Sequence, residues 1–244
     1  MSYLGSKAQA GVFQRIICNL PPHSVYIEPF FGTGKIFWTK RPADLSVVID
    51  ADAGLLGTFG VDCRRHTSEV TLPPDSGNPG AKVCAICGDA LPELAALETT
   101  LLQSPDTVIY CDPPYLLSTR TSRHRYKHEF GAEDQHAALL ALLDRLPCKV
   151  LLSGYPSRLY SEKLIKPCWR CISYRIRTRG RTLTECLWCN FPEPAELHDW
   201  RFFGDNYRQR LNMKRLAARF TAKLDRMPVL RRNFILHLVH QRQG

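Results

Sequence analysis

The sequence predicts an α/β fold built on a mainly parallel sheet, closed by an antiparallel hairpin and followed by basic helices. Three observations lead there. Short β-like runs alternate with amphipathic helical stretches, the pattern of a parallel sheet covered by helices. Two apolar-rich runs, Cys171 to Thr178 and Thr184 to Phe191, are joined by Arg179-Gly180-Arg181 and can pair as a hairpin. Beyond Pro194 the alternation stops and basic helical sequence takes over.

In order, Val25 to Glu28 is the first strand, followed by a glycine-containing turn and a helix. Ser46 to Asp50, Lys82 to Cys87 and Thr107 to Cys111 are the next three. Ala132 to Leu146 reads as a helix, Lys149 to Ser153 as the fifth strand and Ser157 to Leu164 as a short helix. Thr71 to Gly80, rich in Pro, Gly, Asp and Ser, reads as a loop. Asn206 to Arg226 and Val229 to Gln241 form two helices with Pro228 between them. The expected organisation is therefore one α/β domain over residues 1–194 and a helical extension over 195–244.

With 244 residues, 44% of them apolar and 23% charged, the chain can bury a sizeable core and reads as an ordinary soluble protein. No apolar run reaches the roughly 18–20 residues of a membrane span, and the N-terminus lacks a signal peptide's apolar stretch. No membrane partner is expected. Ten cysteines are too sparse for a disulfide scaffold, which points to a reducing cytoplasm. The formal charge of +10 is unevenly spread. Residues 1–115 carry 8 basic and 12 acidic side chains, residues 116–197 carry 14 and 8, and residues 198–244 carry 11 and 3. An excess of positive charge confined to the second half suits a polyanion, most often nucleic acid.

The sharpest chemical signal is Asp112-Pro113-Pro114-Tyr115, directly after the strand ending at Cys111. Ligands of open α/β sheets bind beyond the carboxyl ends of strands. Two prolines fix the backbone and remove two donors, leaving carbonyls to accept hydrogen bonds. The aspartate adds an acceptor and the tyrosine a flat stacking face, a combination that suits an exocyclic amino group on a planar ring. A proline-rich turn with a buried tyrosine would use the same residues. The second signal is Tyr26 to Gly34, where Gly32 and Gly34 follow a strand that ends in Glu28 and let backbone approach a ligand. Asp50 closes the second strand and Asp89 follows the third. Successive strands ending in carboxylates are a poor way to build a core without a ligand.

With these motifs in this order, the sequence resembles a DNA adenine-N6 methyltransferase of the Dam-like, D12 class, particularly its short phage and prophage members. Tyr3-Leu4-Gly5-Ser6-Lys7 resembles the family's N-terminal cofactor motif, which makes Tyr3 and Lys7 candidate cofactor contacts. Glu28, Phe30, Gly32 and Gly34 lie in what resembles the loop for the methionine part of S-adenosylmethionine. Asp50 matches the ribose-binding acid, with Asp52 as the alternative, and Asp89 the acid near the cofactor's adenine. Asp112 to Tyr115 matches the catalytic tetrad, and Asp112 also faces the cofactor. Arg125 to Glu129, Ser153 to Pro156 and Glu185 to Phe191 extend the resemblance over most of the chain.

The resemblance implies a Rossmann-like methyltransferase fold, S-adenosylmethionine as cofactor, double-stranded DNA as partner and a bacterial cytoplasm, in an orphan or restriction-modification setting. It implies a base flipped out of the duplex, stacked on Tyr115, with its amino hydrogens accepted by Asp112 and the Pro113 carbonyl. Neither a covalent intermediate, a metal nor an obligate protein partner is expected. RNA adenine, cytosine N4 in DNA, and a catalytically silent nucleic-acid-binding protein remain as alternatives.

The larger family members carry a long recognition insert before the tetrad that this chain lacks. Base and phosphate contacts are then expected from the loop bearing Arg120, Arg123, Arg125 and Lys127, from hairpin residues Arg177, Arg179 and Arg181, and from the C-terminal helix bearing Arg208, Arg210, Lys214, Arg215 and Arg219. Cys168, Cys171, Cys186 and Cys189 have zinc-ribbon spacing, but their apolar neighbours suggest strands, on which residues three apart point to opposite faces. Buried structural thiols are expected instead. His124, His128 and His136 read as surface or packing residues.

Overall fold

The computed structural model describes residues 7, 9, 11–61, 66–119, 129–178 and 181–241. Helix α1 (Val12–Ile17) leads into β1 (Val25–Glu28), α2 (Lys35–Thr39), β2 (Leu45–Asp50) and α3 (Ala53–Leu56). Then follow β3 (Thr67–Thr71), β4 (Lys82–Cys87), α4 (Ala90–Leu97), β5 (Thr107–Cys111) and α5 (Glu133–Arg145). Strand β6 (Lys149–Gly154), α6 (Arg158–Leu164), β7 (Arg170–Thr178) and β8 (Arg181–Cys189) complete the sheet region, ahead of α7 (Tyr207–Asp225) and α8 (Val229–Gln241).

The sheet has eight strands in the order β3-β4-β2-β1-β5-β6-β8-β7. Strands β4, β2, β1, β5 and β6 are parallel, β3 lies antiparallel on β4, and β8 runs antiparallel between β6 and β7. This is the Rossmann-like, mainly parallel sheet that the sequence predicts, with its closing hairpin. The chain moves outward from β1 in one direction and returns through β5 in the other. Their shared boundary is the topological switch point, and the crevice beyond their carboxyl ends is where such sheets take ligands.

Burial explains the alternation. All five residues of β5 are buried because both faces of a central parallel strand are covered. On α5, His136, Leu139, Leu140 and Leu143 repeat at helical spacing and are buried, and the leucines join a core containing Ile109, Val150, Leu152 and Trp188. Edge strand β7 alternates, with Tyr174 and Ile176 inward and Arg175 and Arg177 exposed, and charge on an edge discourages further pairing.

Three details differ from the sequence reading. Thr67–Thr71 forms an added edge strand whose one strongly apolar residue, Val70, gives little signal. The segment read as a loop from Thr71 begins in that strand and contains a 3-10 turn at Pro74–Ser76. Strand β8 starts at Arg181 because Thr178 and Arg181 pair directly, so the ladder extends almost to the turn; it ends at Cys189.

The chain divides into two compact units, Met1–Trp200 and Arg201–Gly244. The first extends past Pro194 because His198 and Asp199 are tied into it. The His198 N–H donates to the Leu20 carbonyl at 2.9 Å, and its ring stacks on His23 with centroids 3.7 Å apart. Asp199 accepts the Arg41 N–H at 2.9 Å. In the second unit Asn206 caps α7 by accepting the Gln209 N–H, and no described residue of α7 or α8 is buried.

Candidate active site

The crevice is built from the turns that follow β1, β2, β4 and β5. After β1 the backbone turns sharply through Gly32 and Gly34, at φ of 53° and 63°. A side chain at position 34 would overlap the rings of Phe31 and Trp38, so close packing as well as dihedral angle demands glycine there. Asp50, at the end of β2, fixes this turn from outside: one carboxylate oxygen accepts the Gly32 N–H at 2.7 Å, the other the Asp52 N–H at 2.8 Å. Asp52 itself accepts the Gly54 N–H as the N-cap of α3. Asp89 occupies the N-cap position of α4, yet its side chain makes no capping bond.

These turns enclose a cavity of about 480 Å³. Of the residues singled out from sequence, Phe30, Gly32, Asp50, Asp89, Asp112 and Pro114 line it, and Glu129, Phe130 and Gln135 are among the rest of the wall. Phe30 and Phe130 meet edge to face with centroids 5.0 Å apart. Gly34, Asp52 and Glu28 are not among the lining residues.

Beside the cavity lies a buried charged cluster. The Lys7 ammonium donates to the Tyr115 hydroxyl and to Glu185 Oε1, both at 2.5 Å, and stands 3.0 Å from Asp112 Oδ1. Tyr115 donates to the same Asp112 oxygen at 3.1 Å, and Tyr174 donates to Glu185 Oε1 at 2.9 Å. Lys7 and Glu185 are almost wholly enclosed, whereas the Asp112 side chain keeps 25% of its surface exposed. Burial works against the charge on Lys7, but Asp112 and Glu185 outweigh it and hold the ammonium well above the ordinary lysine value. Burial also pushes the Asp112 carboxyl up, with Lys7 opposing.

Glu28 has a different setting. It is buried, accepts the Tyr26 hydroxyl at 2.8 Å, and its carboxyl is pushed up to about 8, first by burial and further by the charge of Asp112. Lys40, 4.0 Å from the centre of the Tyr26 ring, is lowered to about 7 by its own burial.

Sequence reasoning gave no role to four side chains in this region. Glu185 is a lone carboxylate beside the apolar run Cys186 to Cys189, and an acid with no solvent side was the available signal. Tyr174 alternates inward on the edge strand. Tyr155 meets the Tyr115 ring at 4.4 Å and 64°. His136 sits on the apolar face of α5 and bonds the Pro114 and Phe130 carbonyls and the Tyr160 hydroxyl.

Of the expected nucleic-acid contacts, Arg120, Arg123, Arg125, Lys127 and Arg179 lie outside the described residues, as does Tyr3. Arg177 and Arg181 are exposed on the hairpin, and Arg208, Lys214, Arg215 and Arg219 are exposed on α7. Arg208, Arg215 and Arg219 follow one line along the helix, at spacings of seven and four. Arg210 is half-buried and donates to the Gly204 carbonyl at 3.0 Å, which holds the turn leading into α7. Cys168 and Cys171 are exposed while Cys186 and Cys189 are buried. Among the described residues, no group of three or more His, Cys, Asp or Glu side chains is arranged to hold a metal ion. Nor is any described helix long and apolar enough to cross a membrane.

Residues 93–171, which include the tetrad, match the family model of the D12 class N6 adenine-specific DNA methyltransferases. No curated protein matches the sequence. Among solved structures, an rRNA methylase from Streptococcus thermophilus is similar at 14% identity and a TM-score of 0.44, over 78% of this chain and 98% of that one. A SAM-dependent methyltransferase from Agrobacterium tumefaciens is similar at 16% identity and 0.45, over 75% of this chain and 61% of that one. TrmN from Thermus thermophilus is similar at 15% identity and 0.46, over 77% and 50%.

Proposed function

We propose that the chain transfers the methyl group of S-adenosylmethionine to the N6 amino group of an adenine flipped out of double-stranded DNA. The observation that carries this reading is the position of Asp112, which lines the cavity at the switch point with one carboxylate oxygen held by Lys7 and Tyr115. The family match over residues 93–171 supports the adenine and DNA parts.

The residues present suit the cofactor. A cavity of about 480 Å³ is of the size that takes small molecules. Asp50 and Asp89 offer carboxylate oxygens to hydroxyl and amino donors, and Phe30 and Phe130 offer apolar surface to a flat ring. When bound, the cofactor supplies an electrophilic methyl group on a sulfonium centre.

The chain's own work is positioning and electrostatics. Lys7 and Tyr115 occupy Oδ1 of Asp112, and His136 occupies the Pro114 carbonyl. The second Asp112 oxygen and the Pro113 carbonyl then accept the two hydrogens of a primary amine, which turns its lone pair toward the cavity. As the amine gains positive charge, the Asp112 carboxylate stabilises it. Tyr115 supplies the stacking face. Exposed arginines of the hairpin and α7 take phosphate, which positions the duplex without reading its sequence. The methyl-transfer chemistry belongs to the N-terminal unit, and the setting is a bacterial cytoplasm.

Transfer of a labelled methyl group to duplex DNA, RNA or neither tests the reading, with Asp112→Ala as the control. Transfer to DNA adenine that the variant loses is the expected result. Transfer to RNA alone would move the substrate, and no transfer to any nucleic acid would overturn the enzyme. Truncation after Trp200 should leave transfer intact while weakening duplex binding and flattening its salt dependence, by about one unit of slope for each phosphate no longer gripped. An unchanged salt slope would remove α7 from the interface.

A further inference from the structure

We propose that His136 is a positioning residue for methyl transfer, holding the Asp112–Tyr115 turn in its working conformation through the Pro114 carbonyl. This rests on the methyltransferase reading above. The two prolines that give the turn its acceptors also strip it of N–H groups, and no backbone N–H from residues 112–116 donates to another backbone group among the described residues. The turn therefore cannot hold itself by its own ladder, and side chains must do so. Lys7 and Tyr115 fix its first residue; His136 fixes its third.

The geometry assigns the imidazole its proton. Nε2 lies 2.9 Å from the Phe130 carbonyl and 3.1 Å from the Pro114 carbonyl. Both partners only accept, so Nε2 carries hydrogen. On the other side Nδ1 lies 2.8 Å from the Tyr160 hydroxyl, a phenol that burial keeps neutral and able to donate. The ring is 1% exposed and set by α5 on one side and α6 on the other. One side chain thus joins the turn after β5, the Phe130 wall of the cavity and α6. A packing residue would need only its shape; this one has hydrogen-bond partners on both nitrogens.

The test compares His136→Phe, which keeps a buried ring but neither polar end, with His136→Gln, which keeps an N–H close to the Nε2 position. We expect folded His136→Phe to lose about ten- to hundredfold in kcat, with KM for DNA and Kd for S-adenosylmethionine changed less than about threefold, and His136→Gln to regain most of the loss. Nitrogen NMR of the native protein should find the neutral Nε2–H tautomer. A folded His136→Phe with native kcat, a glutamine variant no better than phenylalanine, or an Nδ1–H tautomer would each overturn the proposal. If His136→Phe does not fold, Tyr160→Phe decides: it removes the hydroxyl that orients the ring at Nδ1 and keeps both carbonyl acceptors at Nε2, so a lowered kcat with the Nε2–H tautomer retained supports the role, and a native kcat overturns it. The native enzyme is run beside every variant. Its failure to methylate any nucleic acid would remove the methyltransferase reading, whereas an active native enzyme with an unimpaired His136→Phe removes only the role of His136.

Discussion

Glu28 and Asp112 stand at the carboxyl ends of adjacent parallel strands, one closing β1 and the other directly following β5, and they have met opposite fates. Glu28 is sealed from solvent, its carboxyl raised to about 8, with a tyrosine hydroxyl as its hydrogen-bond donor. Asp112 has the Lys7 ammonium at 3.0 Å and an edge on the cavity. Two neighbouring carboxylates in a poorly solvated place resist ionising together. A single cation, itself anchored by Glu185, lies against Asp112 and opposes the upward push that burial gives its carboxyl. Ending a strand in an acid is therefore not enough to put that acid on the cavity, as Glu28 shows.

Removing the favoured acid should break this contrast most severely. Asp112→Ala should lower kcat by ~10²–10³-fold, the loss typical when one polar group facing developing charge is deleted; single-turnover methyl transfer measures it. A kcat within tenfold of native would mean that the turn's carbonyls suffice.

Removing the cation comes next. Lys7→Met leaves Asp112 and Glu185 without their shared partner, which should cost about 3–5 kcal/mol of stability and lower kcat as well. Adding Glu185→Gln to Lys7→Met should recover part of the stability by deleting one of the stranded charges. A double-mutant cycle on denaturant midpoints reads this coupling, and strict additivity would show that the two side chains do not act as a pair.

The smallest effect should come from the neighbour that does not line the cavity. The folded value of Glu28 is raised, so its contribution to stability is full below the unfolded carboxylate range and is lost as pH rises through about 8. Glu28→Gln should accordingly melt above the native protein at pH 9, by ~2–4 °C for each kcal/mol recovered, with the gap closing toward pH 4. Methyl transfer should change by less than about threefold. A variant that melts lower than native at pH 9 would contradict the cost of burying this carboxylate, and a loss of activity as large as that of Asp112→Ala would erase the distinction between the two acids.

Much of this could be read along the chain. The β5 run is apolar throughout because both faces are covered, and the two prolines after it punctuate the strand end unmistakably. Asp50 and the glycines were legible because short-range backbone geometry demands them. The pairing of Lys7 with Glu185 was not, because nothing local in β8 specifies a partner from the other end of the chain. The seclusion of Glu28 was hidden for a related reason: its motif matches that of a ligand-facing acid, and only the packing of Tyr26 and Lys40 around it decides otherwise. His136 looked like core because it is core; the carbonyls it holds belong to a turn whose own missing donors create the need. Arg210 likewise has the composition of a phosphate contact and the bonding of a structural clasp.

The bond between Lys7 and Glu185 spans 178 residues of sequence. A ribosome releases the chain from its N-terminus, so Lys7 emerges early and must wait for almost the whole sheet before its anchor appears. The parallel strands and the Asp112 turn can form meanwhile, but the arrangement that readies Asp112 is completed only when β8 inserts between β6 and β7. An incomplete nascent chain thus lacks the finished charged cluster. If the proposed activity holds, methylating competence arrives as one of the last events of folding, and a stalled or prematurely ended product stays inert.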